Sequence, residues 1–110
     1  MTKIKFYKYD NKYFKIEATG HTGYAESGND ILCSSVSSIL QSGALGLKKV
    51  LKLNPKIENT IDGYISIELP INCDKLNDAQ VLFLTMLESI KDLESGYSRY
   101  IKLEVIDYVY

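Results

Sequence analysis

The stretch Lys3–Thr19, which reads KIKFYKYDNKYFKIEAT, decides the start of the fold. Apolar and polar residues alternate on both sides of Asp10-Asn11, and alternation with a period of two predicts half-buried strands. The apolar positions are Ile4 and Phe6 in the first segment and Phe14, Ile16 and Ala18 in the second. Asp10-Asn11 is typical of a tight turn. We therefore expect a β-hairpin with one face toward a core.

Two longer segments with helical spacing follow the hairpin. We predict Asp30 as the N-cap of the first helix, which ends before Asn54-Pro55, and either Asp74 or Asn77 as the N-cap of the second, which ends at Gly96. The apolar stripe of the first helix comprises Leu32, Val36, Ile39, Leu40, Gly43, Leu47, Val50 and Leu51. The stripe expected for the second comprises Val81, Leu84, Leu87, Ile90 and Leu93.

The remaining segments predict three more strands. Lys56–Thr60 and Gly63–Ile71 form a pair that turns at Asp62-Gly63, and a last strand starts at Tyr100. Ile106, Tyr108 and Tyr110 suggest that the end of this strand is covered on both faces. The order β-β-α-β-β-α-β predicts an α+β fold, a two-layer α/β sandwich with both helices on one face of a mainly antiparallel or mixed sheet. We expect residues 1–110 to form a single domain.

Composition excludes several classes of function. The chain has 110 residues, and its 13 Lys+Arg against 14 Asp+Glu give a net charge of −1, so direct nucleic-acid binding is not expected. The apolar runs are too short for a membrane span, and the lysine-rich start lacks the apolar segment of a signal peptide, which predicts a cytoplasmic protein. No phosphate-binding glycine loop or metal-ligand cluster is present, so we expect neither a metal nor a cofactor.

Two cysteines and one histidine are the residues with the clearest chemistry. If Asp30 is the N-cap, Cys33 lies in the first turn of the helix, where unpaired N–H groups and the helix dipole favour a thiolate. Ser37 lies one turn further along the same edge. The loop after His21 is long enough to bring this imidazole to the start of the helix, so a Cys–His pair is possible. A small buried cysteine that fills a gap between helix and sheet is the alternative.

Other residues near this pair permit two interpretations. Asp30 either caps the helix or orients the imidazole of His21. The segment Gly23–Gly28, which includes Tyr24, is either a lid that closes on a substrate or an ordinary surface loop. Cys73 has no nearby histidine, which favours a structural thiol.

The run Gly20-His21-Thr22-Gly23-Tyr24-Ala25, followed by Gly28, Asp30-Ile31, Cys33 and Val36-Ser37, resembles the ribosomal-processing cysteine protease family Prp of Firmicutes and related bacteria. The resemblance implies that Gly20-His21 and Cys33 form the active site, with His21 as general base and Cys33 as nucleophile. Asp30 and Ser37 match the accompanying Asp and Ser of the family. The implied activity is that of a cysteine endopeptidase, a homodimer that removes the N-terminal extension of a large-subunit ribosomal protein after paired aromatic residues.

These expectations give a mechanistic hypothesis. The thiolate of Cys33 attacks the scissile carbonyl, and N–H groups at the helix start, including that of Cys33, stabilise the oxyanion. The substrate binds as an extended peptide beneath the Gly23–Gly28 loop, with an apolar pocket for its aromatic side chain. Two alternatives remain open from the sequence: a non-catalytic ribosome-associated binding protein and a thiol redox sensor.

Overall fold

The hairpin predicted from the alternating pattern is formed by β1 (Thr2–Tyr9) and β2 (Lys12–Thr19). Asp10 and Asn11 have φ values of 51° and 63°, the left-handed conformation that a two-residue hairpin turn requires. The computed structural model describes residues 1–20, 26–60 and 63–108, and for residues 26–30 it describes the backbone only.

The hairpin lies inside a five-stranded mixed sheet in the order β3-β4-β2-β1-β5. The added strands are β3 (Lys56–Thr60), β4 (Tyr64–Glu68) and β5 (Ile101–Asp107). β5 pairs with β1 in parallel, and the other pairs are antiparallel. The last strand of the chain therefore completes the sheet beside the first.

Two long helices cover one face of this sheet. They are α1 (Glu26–Leu45), which continues into a π-helical turn at Gly46–Val50, and α2 (Leu76–Gly96). Their buried side chains pack on the apolar row of the hairpin in one core. The α+β sandwich expected from the sequence is confirmed. Within residues 1–20, 26–60 and 63–108, no helix is long and apolar enough to cross a membrane.

The first helix begins earlier than the sequence pattern predicts. It starts at Glu26, so Asp30 lies within the helix and the prediction that Asp30 is the N-cap was wrong. Residues 26–30 are polar or small and carry no apolar periodicity, and Gly28 and Asn29 favour a loop by propensity. Near the other end, Val50 is 75% exposed although it was expected in the apolar stripe, because the π-helical turn changes the phase of the helix.

The second helix presents a different face to the core than expected. Val81 is 69% exposed and Leu84 is 46% exposed, so two of the predicted core positions are wrong. The buried residues are Leu76, Ala79, Phe83, Met86, Leu87 and Ile90. This helix carries apolar residues on two sides, and the side with Phe83 packs against the sheet. Neither Asp74 nor Asn77 is the N-cap, because Lys75 holds that position without a side-chain hydrogen bond.

The end of β5 is not covered on both faces. Val105 is 44% exposed and Tyr108 is 41% exposed, whereas Tyr110 lies outside the described residues. β5 is an edge strand, so only one of its sides pairs with a neighbour. The side chain of Glu94 in α2 accepts a hydrogen bond from the N–H of Leu103 at 2.8 Å, which secures part of this edge.

Candidate active site

Cys33 lies about two turns into α1, half-buried, and it lines a cavity of about 210 Å³ between this helix and one end of the sheet. Residues from α1, from β1 to β4 and from the ends of these strands line the cavity. They are Thr2, Ala18, Gly20, Cys33, Val36, Ser37, Asn59, Gly63, Tyr64 and Ile65. The thiol is therefore next to an open space rather than packed in the centre of the core.

The register of the sheet explains which strand residues reach this cavity. Ala18 in β2 is paired with Ile65 in β4, and Ile65 is paired with Asn59 in β3. Directly opposed residues of neighbouring antiparallel strands point to the same face. Ala18 is buried in the core beneath the helices, so this row across three strands faces α1. The cavity is the space left between this row and Cys33.

Gly20 fixes the direction in which the chain leaves β2. It has a φ of +87°, and a Cβ at this position would lie 2.8 Å from the carbonyl oxygen of Met1. Only glycine adopts this conformation without a steric cost, and only glycine fits against that carbonyl. Gly20 lines the cavity. The residue that follows Gly20 in the sequence is His21.

The structure brings together three of the residues singled out by the sequence. Gly20, Cys33 and Ser37 all line the same cavity. His21, Gly23 and Tyr24 lie outside the described residues, as does the side chain of Asp30. Of the segment 23–28, predicted to be a lid or a surface loop, residues 26–28 belong to α1, so the prediction was wrong for them. The backbone of Gly28 and Asp30 is helical.

The early start of α1 changes the expected role of the helix end. Cys33 is not in the first turn, and its N–H lies within the helical hydrogen-bond ladder. The dipole effect of a helix falls off within the first turn. The expectation that Cys33 lies in the first turn, where unpaired N–H groups and the dipole would favour its thiolate, was therefore wrong.

Cys73 has a different environment. It follows β4 in a short turn, where its N–H donates to the carbonyl of Pro70 at 3.0 Å, and its side chain packs against the core. Cys33 and Cys73 are both thiols. The structural role expected for Cys73 agrees with this packing.

Sequence reasoning missed the cavity residues that come from distant strands. Thr2, Asn59 and Tyr64 are separated from Cys33 along the chain, and no local pattern connects them with it. The available signal was the position of each residue at a strand end, which becomes informative only when the strand order is known. Among the described parts of the chain, no three His, Cys, Asp or Glu side chains lie close enough together to hold a metal ion.

Tyr64 connects this cavity with the opposite face of the sheet. Its hydroxyl donates to Oε2 of Glu17 at 2.8 Å, and the hydroxyl of Tyr7 donates to Oε1 of the same carboxylate at 2.8 Å. The ammonium of Lys15 lies 5.3 Å from the ring centroid of Tyr7. Glu17 therefore holds tyrosines from β1 and β4 on either side of β2, and this fixes the strand that forms one wall of the cavity.

The pKa values of these groups are shifted by this arrangement. Burial alone would raise the pKa of Glu17, but the two tyrosine hydrogen bonds and the charge of Lys15 outweigh it and hold the pKa below its ordinary value of 4.5. Burial and the hydrogen bond to Glu17 raise the pKa of Tyr7 to about 12. The hydrogen bond to Glu17 likewise raises the pKa of Tyr64. At neutral pH, Glu17 is therefore ionised, and Tyr7 and Tyr64 both keep their phenolic protons.

The cavity with a cysteine and the glycine before His21 can be compared with known proteins. A family model described as "Cysteine protease Prp" matches residues 1–102. This chain belongs to the Prp cysteine protease family. The match extends from β1 into β5, so it includes all the elements that form the cavity. Of the three functions considered from the sequence, this family assignment supports the cysteine protease over the non-catalytic binding protein and the thiol redox sensor.

Individual relatives agree with the Prp assignment. The ribosomal processing cysteine protease Prp of Bacillus subtilis is 27% identical over 92 residues, which cover 81% of this chain and 82% of the relative. SMU.848 from Streptococcus mutans has the same fold, with a TM-score of 0.84 at 23% identity over 98% of this chain and 96% of that one. The essential ribosomal processing protease Prp from S. aureus, in complex with a covalently linked product peptide, superposes with a TM-score of 0.79 at 25% identity, over 96% of this chain and 99% of that one.

Proposed function

We propose that this Prp-family protein is a cysteine endopeptidase that removes the N-terminal extension of a large-subunit ribosomal protein, with Cys33 as nucleophile and His21 as general base. The observation that carries the proposal is that Cys33 lines the cavity to which Gly20 also belongs. His21 follows Gly20 in the sequence, and in this proposal its imidazole acts on the thiol of Cys33. Cys73, by contrast, packs against the core.

The proposed reaction proceeds in two steps. The thiolate of Cys33 attacks the scissile carbonyl carbon, a C–S bond forms, and His21 gives a proton to the leaving amine as the C–N bond breaks. Water, deprotonated by the same imidazole, then attacks the thioester and releases the new carboxyl end with the restored thiol. Each proton taken by His21 is returned within the cycle, so the reaction requires no cofactor.

The developing oxyanion needs hydrogen-bond donors other than the N–H of Cys33. The hydroxyl of Ser37 and the side-chain amide of Asn59 line the same cavity and are donors of the required kind. Asp30 would orient His21 rather than cap the helix. These assignments are part of the proposal and follow from the position of Cys33 in the interior of α1.

The proposed peptide substrate is supported by the names of two relatives and by the apolar walls of the cavity. The B. subtilis relative is named for ribosomal processing, and the S. aureus relative has been seen with a covalently linked product peptide. Ala18, Val36 and Ile65 give the cavity apolar walls, which suit an aromatic side chain. A ribosomal substrate locates the reaction in the cytoplasm, and we propose a homodimer as the working form.

Intact-mass analysis tests this function. The large-subunit ribosomal protein with its extension, from the same organism, is incubated with wild type, Cys33→Ala, His21→Ala and Cys73→Ala. We expect wild type and Cys73→Ala to remove the extension, and the Cys33 and His21 variants to leave it in place. Cleavage by Cys33→Ala at the wild-type rate would overturn the assignment of the nucleophile.

A further inference from the structure

Positive charge is concentrated where the first helix ends. Residues 46–56 contain four lysines and no aspartate or glutamate, although the whole chain has a net charge of −1. One of the four, Lys56, is paired with Glu58, with 3.7 Å between Nζ and Oε1. The other three are exposed, and within the part of the chain that the structure describes they form no ion pair. This lysine cluster consists of Lys48, Lys49 and Lys52.

The contacts that close the helix do not use the ammonium groups of the cluster. The N–H of Leu51 donates to the carbonyl of Gly46 at 2.9 Å. The N–H of Leu53 donates to the carbonyl of Leu47 at 2.8 Å. Lysines near a helix C-terminus compensate the helix dipole, but here Nζ of Lys75, which precedes α2, donates to the carbonyl of Leu51 at 3.3 Å. Helix capping therefore does not explain the three lysines.

The backbone of Lys52 has a conformation that favours glycine. Its φ is 59°, in the left-handed region, directly after the C-cap residue Leu51. Glycine adopts this conformation without a steric cost, whereas a lysine side chain makes it unfavourable. No hydrogen bond or ion pair of the Lys52 ammonium within the described residues offsets that cost. A charged side chain at such a position indicates a use outside the chain itself.

The surface of the cluster suits a polyanion better than a membrane or a protein. Leu47 is fully buried, and Leu51 and Leu53 pack against the core, so Val50 is the one exposed apolar residue between positions 47 and 53. The surface therefore lacks the broad apolar face with which a helix inserts into a membrane. Lysine is depleted at the centre of protein–protein interfaces, whereas interfaces with nucleic acids are rich in positive charge.

From these observations we infer that the lysine cluster binds the phosphate backbone of RNA. Each lysine is a point charge on a flexible stem, so the contacts depend on phosphates and not on base sequence. The choice of RNA rests on the proposed function, because a ribosomal protein is assembled beside RNA. The inference departs from the expectation drawn from the net charge, which does not describe how the charges are distributed.

The cluster is remote from the candidate active site. Cys33 and Lys48 lie on the same continuous helical segment, about 20 Å apart along its axis at 1.5 Å per residue. RNA at one end of the helix therefore leaves the cavity at the other end open to a peptide. We expect the substitution of the cluster to leave kcat/KM for a short peptide substrate unchanged when no RNA is present.

Fluorescence anisotropy with a short fluorescein-labelled RNA tests the inference at about 50 and 200 mM KCl. The test variant combines Lys48→Gln, Lys49→Gln and Lys52→Gln. The control combines Lys3→Gln, Lys91→Gln and Lys102→Gln, which remove the same charge from exposed positions elsewhere. We expect the test variant to raise Kd about tenfold and to reduce the slope of log K against log salt by about 2, with a change of about twofold or less in the control.

The outcomes assign the cluster to RNA or to another partner. Equal weakening by the two triple variants, or no binding of RNA by wild type at the lower salt concentration, would overturn the inference. Tighter binding to phosphatidylserine vesicles or to polyglutamate than to RNA would identify a membrane or an acidic protein instead and would also overturn it. If wild type cuts no ribosomal substrate, the proposed function fails, and the anisotropy data still decide whether the cluster binds RNA.

The substitution Lys52→Gly separates the charge from the fold. Glycine suits a φ of 59°, so the thermal midpoint should not fall, while the affinity for RNA should decrease severalfold. A lower midpoint would show that Lys52 is required for the fold, and it would contradict the argument from its backbone conformation.

Discussion

The side-chain amide of Gln80 in α2 forms two hydrogen bonds with the backbone of Tyr13 in β2. The N–H of Tyr13 donates to Oε1 at 2.7 Å, and Nε2 donates to the carbonyl of Tyr13 at 2.8 Å. The β1–β2 pairing is irregular at this point, because the register shifts between Tyr7 and Lys8. Gln80 therefore replaces a strand neighbour and ties the second helix to the sheet.

We expect Gln80→Leu to destabilise the protein by about 2–3 kcal/mol, because it leaves two backbone groups of Tyr13 without partners. Urea unfolding measures the change in the free energy of unfolding. Gln41 is exposed on α1, and Gln41→Leu is the matched control, with an expected change within about 0.5 kcal/mol. Equal effects at the two positions would show that the bonds to Tyr13 contribute nothing.

Glu17 should make stability depend on acid pH. Its pKa in the folded protein is below the ordinary value of 4.5, so the folded state binds the proton more weakly than the unfolded state. The stabilisation is fully present above pH 4.5 and is lost as the pH falls through the folded-state pKa. We expect Glu17→Gln to be less stable than wild type at pH 7 and the difference to shrink at acid pH.

Chemical denaturation at a series of pH values between 7 and 3 checks the role of Glu17. Glu88→Gln, which removes an exposed carboxylate of α2, is the control for the loss of a charge. A constant difference between wild type and Glu17→Gln across this range would contradict the prediction.

Gly20 should tolerate no side chain. Gly20→Ala places a Cβ close to the Met1 carbonyl at a φ of +87°, so we expect a loss of stability of about 1–2 kcal/mol from the backbone conformation alone. Because His21 follows directly, kcat/KM should also fall. Gly96→Ala is the control, since no atom lies within 4 Å of its added Cβ. Normal stability and activity of Gly20→Ala would show that this turn does not position His21.

Cys33 should react with alkylating agents faster than Cys73 at mildly acidic pH. The thiolate is the reactive form, and the proposed partner His21 would stabilise it as an imidazolium. Mass spectrometry of peptides after a short exposure to iodoacetamide measures both rates in one sample. The substitution His21→Ala should slow the alkylation of Cys33 and leave the alkylation rate of Cys73 unchanged. If Cys33 of the wild type is modified more slowly than Cys73, Cys33 is not an activated nucleophile.

Local sequence patterns predict where most helices and strands lie. They do not predict which side of each element is buried or which elements are neighbours. The hairpin was predictable because Ile4 and Phe6 alternate with lysines. The phase of α2 was not, because Val81 and Phe83 both belong to plausible helical stripes and only packing against the sheet selects Phe83. The start of α1 at Glu26 was also not predictable, because residues 26–30 include no large apolar residue that would extend the helical stripe.

The candidate site was predictable only where its residues are close in sequence. Gly20, Cys33 and Ser37 belong to one motif, and the structure places them on one cavity. Thr2 and Asn59 reach that cavity through the strand order, with β1 and β4 on either side of β2. Strand order is a property of the whole chain, so no short pattern contains it.

The parallel pairing of β1 with β5 has a consequence for synthesis on the ribosome. Thr2 is opposite Ile101, and the pairing continues to Lys8 and Asp107. Until β5 has left the exit tunnel, β1 is an edge strand, and Ile101 is missing from the core beside it. Formation of the sheet at this edge therefore waits for β5, and the wall of the cavity that contains Thr2 is completed only then. A nascent chain that already contains Cys33 would thus lack the complete cavity until β5 has joined the sheet.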